Sequence, residues 1–235
     1  MTAELEISRL KENPYPGRGI VIGLSEDRLK FYQIYWVMGR SQQSRNRIFV
    51  EENGFLFTRV YDENKTLNPE LLIYSPMRHI DNKHIVTNGN HTNIIEKYLI
   101  EGKTFFEALL ELEYEPDAPH FTPRIAGIVD ADEKNFSLAV LKKYSFSSDG
   151  CLKAIYCYDN PPAGIGYCIH TYNTDGNPLP SFVGEPYQLP LFNSITENLE
   201  FYWNLLNPEN RVSLAVKEIE IENCRAKIEI INKNK

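Results

Sequence analysis

What most limits the fold of this chain is the grouping of its apolar segments. Short runs rich in Ile, Val, Tyr and Phe, cut by Gly, Asn, Asp or Pro, follow one another before any helical pattern appears. Flat rings and β-branched side chains pack well on a pleated surface, so these runs are expected to be strands at 18–24, 30–37, 46–50, 55–61, 71–74 and 84–87. Glu26-Asp27 and Glu52-Asn53-Gly54 have the composition of hairpin turns. A second block of the same texture covers 124–129, 136–141, 152–158 and 164–172, and two last strands are expected at 212–219 and 225–231.

Helices fall between these blocks rather than after every strand. One is expected at 92–100, stopped near Gly102, and a second opens at Thr104-Phe105-Phe106-Glu107 and runs towards Pro116. That opening is a capping box: the Thr hydroxyl accepts from a free backbone N–H and the Glu reaches back to another. Ser194 to Glu197 repeats the pattern and starts a helix that ends near Asn207-Pro208. Residues 1–17 read as an extended arm closed by the turn Asn13 to Gly17, and 174–190 reads as loop because of its Pro and Gly content. Strands in runs with few helices indicate antiparallel sheets covered by helices, an α+β fold. About a dozen strands and three main helices suit two sheets face to face between helix layers. No linker-like stretch divides the chain, so residues 1–235 are expected to form one domain.

Composition narrows the partners. With 42% hydrophobic residues the chain can bury a core and is not expected to be disordered. A net charge of −7 argues against a nucleic-acid partner. It leaves room for a small anion, because a pocket can be positive inside an acidic protein, and seven of the eleven arginines lie between Arg18 and Arg78. No segment approaches the roughly 20 apolar residues that cross a bilayer, so no membrane partner is expected. The charged first residues do not read as a secretory leader. The four cysteines lack a C-x-x-C spacing, and reduced thiols in a cytoplasmic protein are the expectation. His79, His84 and His91 fit no metal-ligand spacing, so no metal is expected.

The sequence carries no P-loop, no G-x-S-x-G elbow and no G-x-G-x-x-G after a strand. Four polar segments remain. Gly39 to Arg47 is an Arg-rich link between strands, and guanidinium forks suit phosphate or carboxylate. Val86 to Thr92 turns from a strand into a helix, whose first N–H groups favour anions. Leu112 to Asp117 collects carboxylates at a helix end, where negative charge opposes the dipole. Phe121 to Asp130 sets Arg124 beside a buried strand. Three of them also have plainer readings: exposed loop, tight turn and solvated carboxylates. Taken singly they go no further than an α+β enzyme with an Arg-lined anion site.

Together these segments resemble the archaeal inosine-monophosphate (IMP) cyclohydrolase family. The matching pieces are Gly17-Arg18 before an Ile/Val strand ending at Gly23, Arg40-Ser41 with Asn46-Arg47, Val86-Thr87-Asn88-Gly89-Asn90-His91-Thr92, Tyr114-Glu115, and Thr122-Pro123-Arg124-Ile125-Ala126. The resemblance covers most of 17–220 and implies an αββα sandwich similar to that of N-terminal-nucleophile hydrolases, without their nucleophile. It implies closure of 5-formamidoimidazole-4-carboxamide ribotide to IMP with loss of water, with no metal and no cofactor. It implies catalytic roles for Arg47, Tyr74 and Glu115. Arg18, Arg40, Asn88, His91, Thr92 and Arg124 are then candidates for binding the nucleotide, and a homo-oligomer is expected. This chain departs from the family pattern in its N-terminal arm, in a longer loop through 160–190, and in extra residues between Arg40 and Asn46. Those departures keep two alternatives open: a related enzyme acting on another nucleotide or amide, and a purine-nucleotide binder without catalysis.

Overall fold

Thirteen strands among the described residues form two sheets whose ladders are all antiparallel. The computed structural model describes residues 6–65, 73–144 and 149–234. The first sheet comprises β1 (Gly19–Leu24), β2 (Lys30–Met38), β10 (Ile165–His170), β11 (Tyr187–Pro190), β12 (Arg211–Glu220) and β13 (Ala226–Asn232), in the order β11-β10-β1-β2-β12-β13. The second runs in chain order through β3 (Arg47–Glu52), β4 (Phe55–Val60), β5 (Met77–Ile80), β6 (Lys83–Thr87), β7 (Arg124–Asp130), β8 (Asn135–Lys143) and β9 (Cys151–Asp159). The β3–β4 hairpin closes on Asn53 and Gly54, both at positive φ (55° and 80°), the geometry that Asn-Gly supplies at low cost.

Side chains alternate across a strand, so a strand buried on both faces must be apolar at every position. β7 is such a strand. Ile125 and Val129 join the cluster that holds Ile22 of the first sheet, whereas Ala126 and Ile128 join a second cluster with Ile95, Phe105 and Leu109. The first group lies between the sheets; the second lies under the helices α3 (His91–Ile100) and α4 (Phe105–Leu110). The helix α5 (Ile195–Leu205) packs on β12 and β13 of the other sheet, beside α1 (Ile7–Lys11). Each fully buried Leu, Ile or Phe contributes about 1.5–3 kcal/mol relative to exposure, so these apolar layers dominate stability. Gly127 lets the sheets pack closely, since a Cβ there would stand 2.5 Å from the Ile22 Cδ1.

Local chemistry sets the helix starts. Thr104 accepts from the Glu107 N–H while the Glu107 carboxylate accepts from the Thr104 N–H at 2.7 Å. Ser194 caps α5 by accepting from the Glu197 N–H, without a return bond from the Glu197 side chain. A one-turn helix, α2 (Gln42–Arg45), is closed by a reciprocal Ser41–Ser44 pair.

Four expectations need correction. The arm is not extended throughout: α1 turns Leu10 into the core and lays Arg9 over the Tyr187 ring at 4.3 Å. β5 was not expected, because Arg78 and His79 interrupt its apolar pattern; it is held by the β6 ladder instead. Part of the loop 174–190 is the strand β11, an edge strand where Pro190 costs no ladder bond to a further neighbour. α4 stops at Leu110 rather than running to Pro116. Of the strand expected at 71–74, residues 71 and 72 lie outside the described residues. Tyr74 lies outside any strand and is fixed by Thr58, whose N–H donates to the Tyr74 carbonyl at 2.9 Å. No described helix is long and apolar enough to cross a membrane. The described residues contain no group of three or more His, Cys, Asp or Glu able to hold a metal ion.

Several basic groups are buried in this frame. Lys217, on β12 opposite Gln33, is fully buried, and burial lowers its pKa to about 7. Burial lowers His91 and His170 to about 3 and drives His84 down strongly as well. The unfolded chain therefore binds protons that the folded chain does not, between about pH 3 and the ordinary histidine range, and again from about pH 7 towards the ordinary lysine range. Stability rises with pH in both windows. The urea midpoint is expected to be higher at pH 9 than at pH 7, and Lys217→Met is expected to shrink that difference; an unchanged difference in the variant would remove Lys217 as its source.

Candidate active site

Strand ends from both sheets meet around a cavity of about 340 Å³. Arg18 stands one residue before β1, Arg124 opens β7, and Tyr74 reaches in from the segment between β4 and β5. Asn88, Gly89 and Asn90 contribute the turn from β6 into α3, and Glu115, Pro116 and Asp117 the link from α4 to β7. Arg18, Tyr74, Asn88, Glu115 and Arg124, separated by up to 106 residues in sequence, are thus brought together. A larger depression of about 690 Å³ around Arg28, Lys134 and Glu222 holds none of the residues expected to form the site.

Asn88 organises the turn. Its side chain is fully buried, donates to the Pro123 carbonyl at 3.0 Å and accepts from the Ile125 N–H at 2.8 Å. Its own carbonyl accepts from Arg18 at 3.5 Å. Thr92 is equally occupied: its hydroxyl bonds that of Thr87 at 2.5 Å and donates to the Gly89 carbonyl at 2.9 Å. His91 bonds the Ile125 carbonyl through Nε2 at 3.2 Å. Burial and the positive charge of Arg124 keep the ring neutral, with a pKa lowered to about 3. Nε2 therefore carries the proton, and Nδ1, buried without a partner, keeps a lone pair. Gly89 lies against that nitrogen and the Glu115 carboxylate: a Cβ there would stand 3.2 Å from His91 Nδ1 and 3.3 Å from Glu115 Oε1.

The charges face one another across the cavity. An Arg18 guanidinium nitrogen lies 3.6 Å from Glu115 Oε2. Burial opposes the Arg18 charge, but Glu115 and the phenols of Tyr172, Tyr74 and Tyr35 outweigh it and hold the guanidinium above its ordinary value. Arg124 is lowered by burial, with Glu115 pulling the other way, and its Nε has no partner among the described residues. The Asp117 carboxylate accepts from both the N–H and the hydroxyl of Thr122, whose oxygen lies 2.7 Å from that of Tyr172. At the back, the Tyr74 hydroxyl meets that of Tyr35 at 2.7 Å.

Four of the nine residues expected at the site do not line the cavity. His91 and Thr92 lie beneath the turn. Arg47 is buried and donates to the carbonyls of Ser44 and Met38 at 2.9 and 3.1 Å. Arg40 pairs with Asp175, bonds the Gly176 carbonyl at 3.0 Å and lies over the Tyr15 ring at 4.9 Å. Reading the sequence missed Gly89 and Asn90, which it treated only as part of a turn, and Asp117, which it took as one of several carboxylates. It missed Tyr35 and Tyr172 altogether, because nothing local distinguishes them from the other strand aromatics.

A family model described as IMP cyclohydrolase-like protein matches residues 15–223. Curated relatives named IMP cyclohydrolase are similar to this chain. The Methanocaldococcus jannaschii protein is 29% identical over 176 residues, 73% of this chain and 81% of the relative. That of Methanosphaera stadtmanae is 31% identical over 126 residues, 52% of this chain, and that of Thermococcus kodakarensis 35% over 118 residues, 49% of this chain. The chain spans 61% and 56% of the lengths of these last two, less than two thirds.

The bonds of Asn88 give a direct test of how the cavity is held. Asn88→Ala strands a buried N–H and a buried carbonyl, and is expected to destabilise the protein by about 2–3 kcal/mol in urea titrations. Wild-type stability in the variant would show that the turn is held by something else.

Proposed function

Because the chain belongs to the IMP cyclohydrolase-like family, whose model it matches over residues 15–223, we propose that this cavity closes 5-formamidoimidazole-4-carboxamide ribotide to IMP with loss of water. The observation that carries the reading is the convergence of a phenol, a carboxylate and two guanidiniums, Tyr74, Glu115, Arg18 and Arg124, on one cavity of small-molecule size. The relatives named IMP cyclohydrolase support it.

The chemistry joins two groups of one molecule. The carboxamide nitrogen forms a bond to the formyl carbon, the formyl oxygen takes up negative charge, and that oxygen later departs as water. Holding the two groups in contact supplies part of the roughly 7–11 kcal/mol available to well-oriented reactions. Glu115 takes one proton from the carboxamide nitrogen and returns it to the former formyl oxygen; loss of the formamido N–H proton then forms the ring C=N bond as that oxygen leaves with both protons as water. Its ion pair with Arg18 aims the carboxylate while that proton moves. Tyr74 donates to the oxygen that becomes negative. Arg124, with an unpartnered Nε at the N-terminal turn of α3, receives the phosphate. Asn88, His91 and Thr92 shape the turn against which the nucleotide lies. Arg47 acts from behind: its charge reaches Tyr35, the partner of Tyr74, and favours negative charge in that region. Arg40, drawn to Asp175, binds the edge of the nucleotide only by giving up that pair. None of these steps calls for a metal or cofactor.

The layering of helices on two packed sheets supports the finer reading of the fold as similar to that of N-terminal-nucleophile hydrolases. We place the protein in the cytoplasm as a homo-oligomer, with the edge strand β9 as a surface for association.

Purified protein incubated with the ribotide in chelator-treated buffer is expected to form IMP, followed spectrophotometrically. Glu115→Gln is expected to lower kcat on the order of 10²–10⁴-fold while IMP still binds. Wild-type protein that binds IMP without turnover would instead indicate a nucleotide binder, and turnover of another nucleotide alone would indicate a relative with a changed substrate.

A further inference from the structure

Tyr74 lines the cavity, whereas Tyr35 lies inside the sandwich on β2, fully buried and stacked on Phe49 with ring centroids 5.6 Å apart. Their hydroxyl oxygens are 2.7 Å apart, and among the described residues the Tyr35 hydroxyl has no other hydrogen-bonding partner. One proton lies between two such oxygens. If Tyr74 supplied it, the Tyr35 proton would be left in the interior with nothing to accept it, and a buried donor without an acceptor is costly. If Tyr35 supplies it, both protons are used and that of Tyr74 is free to point into the cavity.

We infer that Tyr35 is a positioning residue, which donates to Tyr74 Oη and so fixes the Tyr74 hydroxyl as a donor aimed at the oxygen that becomes negative during ring closure. The inference rests on the cyclohydrolase reading of the cavity. No proton is transferred between the phenols; the bond from Tyr35 withdraws electron density from Tyr74 Oη and makes its O–H a stronger donor. Burial and the neighbouring Tyr74 raise the Tyr35 phenol well above its ordinary value, against the opposing pull of Arg18 and Arg47, so Tyr35 keeps the proton it must donate. Both phenols stand on rigid supports. Tyr35 belongs to a central strand paired on both sides, with Ile20 and with Ala215. Tyr74 is pinned to Thr58 in both directions, its N–H donating to Thr58 Oγ1 at 2.8 Å and its carbonyl accepting from the Thr58 N–H at 2.9 Å.

The test is a double-mutant cycle in steady-state kinetics with the ribotide, using wild type, Tyr35→Phe, Tyr74→Phe and the double variant. Tyr74→Phe is expected to lower kcat on the order of 10²–10³-fold, as loss of an oxyanion donor does. Tyr35→Phe is expected to lower kcat roughly tenfold with KM changed less than about twofold, and to have almost no further effect when Tyr74 is already Phe. Full kcat in Tyr35→Phe, an effect confined to KM, or an equal loss in both backgrounds would overturn the inference. Replacing Tyr35 by 3-fluorotyrosine covers the case in which the Phe variant folds poorly: it keeps the ring and the donor, and kcat at or above wild type is expected, while a loss matching that of Tyr74→Phe would count against the role. If wild type binds IMP but does not turn over, the same cycle is read on IMP affinity, where Tyr35→Phe should weaken binding only with Tyr74 intact. Wild type that neither reacts nor binds IMP takes down the reading of the cavity and this inference with it, whereas an active wild type with an indifferent Tyr35→Phe sinks this inference alone.

Discussion

The two bonds made by the Asn88 side chain, to the Pro123 carbonyl and the Ile125 N–H, hold the end of β6 against the beginning of β7. Three further contacts of the cavity are built on that junction. The Asn88 carbonyl receives Arg18, the Ile125 carbonyl fixes the His91 ring, and Arg124 leaves the backbone between the two anchored residues. A short polar side chain buried at a strand end is favourable only when its donors and acceptors are matched. Here they are matched by backbone groups that would otherwise be unpaired where β6 and β7 part. The same bonds that satisfy the interior therefore set the geometry of the chemistry.

Charge follows a similar economy of place. The protein as a whole carries −7, yet the cavity holds Arg18 and Arg124 against Glu115, with Asp117 turned towards Thr122. A partly buried ion pair loses hydration as it forms, so the Arg18–Glu115 pair is weak evidence of stability and better understood as orientation. Arg18 fixes the direction of the carboxylate, and Arg124 presents a second cation whose Nε has no partner among the described residues.

Much of this was legible in the sequence where one residue type had one physical use. The continuous apolar run from Ile125 to Val129 announces a strand covered on both faces, and the Thr104–Glu107 box announces the start of α4. Arg124 stood out beside a buried strand, while Glu115 was one of several carboxylates at a helix end until the family resemblance singled it out; both line the cavity. The arginines show where such reading stops. Arg18 and Arg40 each follow a glycine and look alike locally; only Asp175, 135 residues away from Arg40, draws one of them outward. β5 was hidden because Arg78 and His79 break the pattern that its ladder to β6 does not require. Tyr35 was one aromatic among many on β2, and its meaning lies in a bond to a residue 39 positions later.

Gly89 ends with a consequence out of proportion to its size. It lies where His91 Nδ1 and Glu115 Oε1 leave just under the usual clearance for one carbon. A methyl group at that point presses at once on the imidazole that braces the turn and on the carboxylate proposed to move the proton. A side chain at position 89 is therefore accommodated only if both neighbours give way by a few tenths of an ångström, which ties the smallest residue of the cavity to the placing of its carboxylate.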